Sequence, residues 1–120
     1  MVTEKKQITK QECSRHLTAM GDALYVIGGK WKLQVIIALR EGNTRFNLIQ
    51  RALPGISAKV LASELKDLEL NGFVTRTVHT GMPVIVEYQL TPYADTLNDV
   101  LTALYTWGAA HRERIREGAI

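Results

Sequence analysis

The fold is decided by one stretch, residues 44–91, which reads TRFNLIQRALPGISAKVLASELKDLELNGFVTRTVHTGMPVIVEYQLT. It begins with two short helical patterns that flank the turn Pro54-Gly55, and two strand-like segments joined by a short turn follow at once. This order of helix, turn, helix and β-hairpin predicts a winged helix-turn-helix. In that architecture one helix can enter a DNA groove while the hairpin, or wing, lies along the flanking backbone.

The two short helices of this stretch have recognisable starts and ends. Thr44 is the predicted N-cap of the first, which extends through Leu53, and Ser57 is the predicted N-cap of the second, which Asn71-Gly72 ends. At 100° per residue, the second helix places leucines on one face and polar residues on the opposite face. We expect the leucine face to be buried, and the two sets are Leu61, Leu65 and Leu68 against Lys59, Ser63 and Lys66.

The hairpin is predicted to run from Phe73 to Thr80 and from Val84 to Leu90, with Gly81-Met82-Pro83 as the turn. Its second segment alternates between apolar and mixed residues, which predicts one buried side formed by Val84, Val86, Tyr88 and Leu90. Thr91-Pro92 then supplies an N-cap and a proline at the first position of a last helix.

Two helices precede the stretch and one follows it. Apolar residues at helical spacing predict a first helix that ends at Gly28-Gly29 and a second that begins near Trp31 and ends at Gly42. The last helix carries an apolar stripe of Leu97, Val100, Leu101, Leu104 and Trp107. The predicted fold class is therefore α+β and mainly helical. We expect a polar tail over 1–11 and one domain over 12–120, with the recognition helix at about 57–71, the wing at about 73–90 and the last helix at about 92–117.

Charge is distributed unevenly along the chain, although the net charge of the 120 residues is only +3. Residues 30–80 hold eight Lys or Arg against four Asp or Glu, whereas residues 81–111 hold three acids and no Lys or Arg. A basic centre beside an acidic, apolar helix indicates one surface for a polyanion and another for a protein partner.

Several classes of protein are disfavoured. The single Cys13 excludes an internal disulfide, no zinc-ligand spacing is present, and we expect no metal or cofactor. The polar N-terminus does not resemble a signal peptide, and no apolar run approaches the ~18 residues of a membrane span. We therefore expect a cytoplasmic protein without a membrane partner.

The expected partner is double-stranded DNA, and the candidate contacts fall into two groups. The second short helix offers short polar and cationic side chains to a major groove, with small alanines that permit close approach. Its candidates are Ser57, Ala58, Lys59, Ala62, Ser63 and Lys66. A rim that would contact the DNA backbone comprises Arg45, Arg76, His79 and Thr80, with Arg51 as a further candidate.

At this point the chain resembles the HxlR family of bacterial winged-helix regulators, from about residue 20 to residue 111. The resembling pieces, in order, are Ile27-Gly28-Gly29-Lys30-Trp31-Lys32, Arg45-Phe46, Leu53-Pro54-Gly55-Ile56-Ser57-Ala58-Lys59-Val60-Leu61, Leu65-Lys66-Asp67-Leu68-Glu69, Asn71-Gly72, Pro83, Val86-Glu87-Tyr88, Leu90-Thr91 and Trp107-Gly108. The resemblance implies a homodimeric transcription factor that binds an inverted repeat and dimerises through its terminal helices. The residues expected at the dimer contact are Leu17, Met20, Leu24, Leu97, Val100, Leu101, Leu104 and Trp107.

The sequence departs from the family pattern at three places. Many members have Cys-Pro where this chain has Thr18-Ala19, and some use that thiol to sense oxidants or electrophiles. Cys13 lies five residues before that position, so we interpret it as an incidental or partly buried cysteine, with a redox role as the alternative. Val84-Ile85 replaces the Pro-Arg common in the wing, so that a cationic backbone contact is lost or Ile85 is covered by a neighbour. Ala62 stands where the family often has threonine, which affects base preference.

Two other functions fit the sequence less well than DNA binding. An enzyme is disfavoured because His16, His79 and His111 are far apart in sequence and accompany no carboxylate pair, phosphate loop or nucleophile motif. The stronger alternative is a winged-helix protein-interaction module whose Lys59 and Lys66 are merely solvated. The expected signal is an unidentified small molecule or an electrophile.

Overall fold

The computed structural model describes residues 9–118. Within that range the chain forms two compact units, one that ends at Lys30 and one that begins at Trp31. The first unit contains helix α1 (Lys10–Ile27), which Thr9 caps by accepting a hydrogen bond from the Glu12 N–H at 3.1 Å. Residues 1–8 of the predicted polar tail lie outside the described residues, and α1 includes the last two residues of that predicted tail.

The second unit holds the remaining elements in the predicted order. These are α2 (Lys32–Arg40), α3 (Phe46–Ala52), α4 (Ala58–Leu70), β1 (Val74–His79), β2 (Ile85–Leu90), a 3₁₀ helix (Pro92–Leu97) and α5 (Asn98–Arg116). The fold is therefore mainly helical with a two-stranded antiparallel hairpin, as the sequence predicted. Buried apolar side chains of α2, α3, α4 and the start of the hairpin form the hydrophobic core. Its members include Val35, Ile36, Ile49, Leu61, Leu65, Leu68, Phe73 and Val74.

The leucine face of α4 is buried as predicted. Leu61, Leu65 and Leu68 are at most 2% exposed, and α4 follows a turn at the end of α3. Gly55 lies in that turn with a φ of +94°, a left-handed conformation that glycine adopts at little cost. The predicted cap is also present, since the Ser57 Oγ accepts a hydrogen bond from the Val60 N–H at 3.1 Å.

The predicted N-cap of α3 was wrong. Arg45, rather than Thr44, occupies the N-cap position of α3, and its side chain makes no capping hydrogen bond. Thr44 has a different role, because its carbonyl accepts the Tyr88 N–H at 2.7 Å and its hydroxyl lies 3.5 Å from Glu87 Oε2. This residue therefore joins the loop before α3 to strand β2.

The predicted division of the hairpin into a buried and an exposed side was wrong in part. Val84 lies outside β2 and is 59% exposed, whereas four consecutive residues from Ile85 are all half-buried. A two-stranded sheet that rests on only a few helical residues cannot bury a whole face, and the loop before α3 partly covers the other face. The strands pair from Val74 opposite Leu90 to His79 opposite Ile85.

The last predicted helix, over about 92–117, is divided in two. Pro92 begins a 3₁₀ helix that passes into α5 at Asn98, and Thr91 holds this start against the hairpin rather than capping it with its side chain. The Thr91 hydroxyl donates to the Gly72 carbonyl at 2.6 Å, and its N–H donates to the Phe73 carbonyl at 3.0 Å. The Phe73 and Tyr93 rings also stack, with their centroids 5.0 Å apart.

Candidate nucleic-acid interface

Helix α4 presents the polar face that the sequence predicted. All five candidates that α4 contributes are exposed, namely Ala58, Lys59, Ala62, Ser63 and Lys66, and of these Lys59, Ser63 and Lys66 lie opposite the buried leucines. The Ser57 cap precedes them, and the positive end of the helix dipole lies at this terminus, where it favours a phosphate group. A helix of 13 residues with short side chains on its outer face has the dimensions that a major groove admits.

The second half of α4 and the wing share one concave surface. A notch of about 220 Å³ is lined by Ala62, Leu65, Lys66, Glu69, Arg76 and Tyr88. Arg76 of β1 and Tyr88 of β2 are paired across the hairpin, so the ladder itself places them side by side. The structure thus brings together three of the predicted DNA contacts, namely Ala62, Lys66 and Arg76. Ser57 begins the same helix nine residues before Lys66, roughly 13 Å away along its axis.

Arg45 lies at a second notch, of about 270 Å³, between the start of α3 and the start of β2. Its other lining residues are Phe46, Asn47, Pro83, Val84, Ile85 and Val86. Ile85 is half-buried here, which agrees with the expectation that a neighbour covers it. Two members of the predicted backbone-contacting rim therefore lie at separate notches, Arg45 at one and Arg76 at the other.

His79 has a partner within the wing. Its Nε2 lies 2.8 Å from Glu87 Oε1, across the last pairs of the hairpin. The adjacent carboxylate disfavours a contact between His79 and a phosphate group. Beyond it the turn from Thr80 to Val84 carries no cation, and Met82 at the tip is fully exposed.

Sequence reasoning missed Lys32, the first residue of α2. Its Nζ lies 3.1 Å from Glu64 Oε1 and 3.3 Å from Asp67 Oδ2, and its side chain is only 13% exposed. Burial alone would lower the pKa of Lys32, but hydrogen bonds to the two carboxylates and their charges outweigh it, so that the pKa of Lys32 is raised. Lys32 is therefore charged at neutral pH and ties α2 to α4. Nothing in the sequence pairs a residue of one helix with acids more than 30 positions later.

Residues 9–118 contain no cluster of His, Cys, Asp or Glu that could hold a metal ion. None of the described helices is long and apolar enough to cross a membrane. Cys13, which could have been partly buried, is exposed on α1.

Comparison with known proteins identifies the family. The family model for HxlR-like helix-turn-helix proteins matches residues 26–116. Among curated relatives, the HTH-type transcriptional regulator YtcD of Bacillus subtilis strain 168 is 39% identical over 92 residues, which are 77% of this chain and 73% of YtcD.

Two solved structures share the fold and about a third of the sequence. A transcriptional regulator of the MarR family from Enterococcus faecalis V583 has a TM-score of 0.71 and 34% identity, over 96% of this chain and 99% of that one. The redox regulator HypR in its reduced form has a TM-score of 0.72 and 33% identity, over 82% of this chain and 98% of that one. These relatives are regulators and not enzymes, as we expected for this chain. The chain therefore belongs to the HxlR-like helix-turn-helix family, and it is a DNA-binding transcriptional regulator.

Proposed function

We propose that the chain acts as a homodimer that binds an inverted-repeat operator, with α4 of each protomer in a major groove. The observation that carries the proposal is the polar, exposed face of α4, which continues through the Lys66–Arg76 notch onto the wing. In a two-fold symmetric dimer, two such helices about 34 Å apart would reach successive major grooves on one side of the duplex. The wing cation Arg76 would contact the backbone beside each half-site.

The homodimer is supported by the terminal helices. Helices α1 and α5 contain no buried residue, although each carries an apolar stripe. Leu24 is 66% exposed, Leu104 is 52% exposed and Trp107 is 68% exposed. Soluble monomers rarely leave apolar stripes of this kind in water, and a second copy of the chain would cover each of them. Six of the residues predicted for dimerisation are exposed, namely Leu17, Met20, Leu24, Val100, Leu104 and Trp107, and Leu101, the seventh, is half-buried. Leu97, the eighth, is already buried within its own protomer.

The decisive experiment is a DNA titration of the purified protein by sedimentation velocity, at 50 and 200 mM salt. The DNA would be the region upstream of its own gene, followed by genomic fragments. A dimer that makes six to ten phosphate contacts should lose roughly 10³–10⁵ in affinity between those salt concentrations. A protein that binds no duplex, or binds without dependence on salt, would instead be a winged-helix module for protein interaction.

A matched pair of variants tests the assignment of α4. Changing Lys59 and Lys66 together to Ala should weaken DNA binding at least tenfold, because each lysine lost removes about one released counterion per protomer. Arg112 and Arg116 to Ala is the control, since it removes the same charge from the end of α5, where both residues are exposed. Equal losses in the two variants would mean that only net charge matters and that α4 has no special role.

The redox proposal concerns Cys13 alone, because the chain has no other cysteine. HypR is a redox regulator, and the Cys13 thiol is exposed to solvent on α1. We expect any thiol-dependent loss of DNA affinity after diamide treatment to disappear in Cys13→Ser. A wild-type protein whose DNA affinity is unchanged by diamide would remove Cys13 from the functional residues and leave a small-molecule signal as the proposal.

A further inference from the structure

The proposed recognition helix carries a net negative charge, although it would bind negatively charged DNA. Helix α4 contains two lysines, Lys59 and Lys66, and three acids, Glu64, Asp67 and Glu69. Its own net charge is therefore −1, although it would lie between two rows of phosphates. Unpaired carboxylates on such a helix oppose binding, because like charges repel over the distances that separate a groove from its walls.

Lys32 meets two of these three acids. Glu64 and Asp67 are three residues apart, so they lie on adjacent turns of the same side of α4. The Lys32 ammonium contacts both of them, at 3.1 and 3.3 Å. The Glu64 side chain is only 15% exposed in this arrangement. The Asp67 side chain is 46% exposed, so its charge would repel a phosphate group nearby.

We propose that Lys32 is a positioning residue of the DNA interface, which neutralises Glu64 and Asp67 so that α4 presents less negative charge to DNA. Lys32 need not touch DNA for this. The inference rests on the proposed function, since it explains how a helix with an acidic sequence presents a surface that a polyanion accepts.

Two further observations support this role. The pKa of Lys32 is raised because the two carboxylates outweigh the cost of burial, so its charge persists at every pH at which DNA binding would be measured. In addition, Lys32 is anchored at the first turn of α2, whose Val35 and Ile36 are fully buried. The ammonium therefore extends from a fixed point of the core.

The test separates an electrostatic role from a merely stabilising one. Lys32→Met keeps an unbranched apolar stem and removes the charge. Lys32→Arg keeps the charge. A third variant combines Lys32→Met with Glu64→Gln and Asp67→Asn, which removes the cation and both acids together. Arg40→Met is the control, because Arg40 is exposed at the other end of α2 and loses the same charge.

The probe is a mixed-sequence duplex of about 30 base pairs, long enough for two half-sites one helical turn apart with flanks. Affinity is measured by fluorescence anisotropy at several salt concentrations, at a temperature where circular dichroism shows each variant to be folded. We expect Lys32→Met to bind about tenfold more weakly at low salt, with a deficit that shrinks as salt screens the two carboxylates. Lys32→Arg and the triple variant should recover most of the affinity, and Arg40→Met should change it little.

Three outcomes would overturn the inference while the wild type binds DNA. They are unchanged affinity in folded Lys32→Met, a loss equal to that of Arg40→Met, and a triple variant that stays as weak as Lys32→Met. If Lys32→Met does not fold, Glu64→Gln with Asp67→Asn in the presence of Lys32 replaces it. That double variant should bind more tightly than wild type, and equal or weaker binding would refute the idea. A wild-type protein that binds no duplex at any salt concentration would refute the proposed function instead.

Discussion

Helices α4 and α5 bury their apolar faces to very different extents. Helix α4 has 13 residues and buries three leucines almost completely, whereas α5 has 19 residues and buries none. Both carry an apolar stripe at helical spacing, so the sequence pattern alone does not distinguish them. One stripe is buried inside the protomer, whereas the other is largely exposed, as the proposed dimer contact requires. Substitutions in α4 should therefore act on folding, and substitutions in α5 should act on association.

The largest expected effect is on the stability of the core. Leu61→Ala should lower the free energy of unfolding by about 2–5 kcal/mol, because Leu61 is fully buried and its loss leaves a cavity. Urea unfolding followed by circular dichroism measures this. Leu104→Ala in α5 is the matched substitution, and at low protein concentration it should cost much less. Equal losses would show that the two helices are buried alike.

The next effect is on the dimer. Leu104→Asp should raise the dimer dissociation constant by at least about tenfold, since a charge in a covered apolar contact costs on the order of 2 kcal/mol or more. Sedimentation equilibrium gives the dissociation constant. The far-UV spectrum should stay that of a folded protein. A dimer constant unaffected by Leu104→Asp would mean that α5 does not form the interface.

A smaller effect is expected where α2 is tied to α4. Lys32→Met should cost about 1–3 kcal/mol of stability at pH 7, between the values for exposed and buried ion pairs. Because the folded-state pKa of Lys32 lies above its ordinary value of 10.5, this contribution is fully present below pH 10.5 and is lost as the pH rises through the folded-state value. The stabilities of wild type and variant should therefore converge in alkaline solution. A gap that stays constant with pH would assign the loss to packing of the lysine stem.

The smallest effect compares two helix caps. Ser57→Ala at α4 should lower the unfolding free energy by about 1 kcal/mol, because the Val60 N–H loses its acceptor. Thr9→Ala at α1 removes the same kind of bond, from the Glu12 N–H. Since α1 contributes no buried residue, its change should fray the helix and leave the main unfolding transition in place. If Thr9→Ala lowers the midpoint as much as Ser57→Ala does, α1 and α4 unfold together.

What the sequence could predict depended on local signals. Some features can be recognised from a few neighbouring residues, and these are present as predicted. They are the Ser57 cap, the buried face of Leu61, Leu65 and Leu68, and the glycine turns. The N-cap of α3 was predicted wrongly because Thr44 is hydrogen-bonded to strand β2, more than 40 residues away along the chain. Sequence periodicity does not register such a long-range bond.

The site shows the same division. Periodicity placed Lys59, Ser63 and Lys66 on the outer face of α4, and the structure has all three exposed. Arg76 lies at the Lys66 notch because it pairs with Tyr88 across the hairpin. The predicted turn at Gly81 indicated a hairpin but did not fix which residues of its two strands are paired. The pairing of His79 with Glu87 follows from the observed register, and the Lys32 pair depends on how two helices pack.

The hydrogen bond from the Tyr88 N–H to the Thr44 carbonyl, at 2.7 Å, has a kinetic consequence for the wing. An isolated two-stranded hairpin would open readily and exchange its amide protons quickly with solvent. Here the outer edge of β2 is fastened to the loop before α3, and the Thr44 hydroxyl and Glu87 strengthen that attachment. The Tyr88 amide should therefore exchange slowly, on the timescale of the helical core. The wing would then reorient together with α3 and α4, so that operator binding pays little entropy for ordering it.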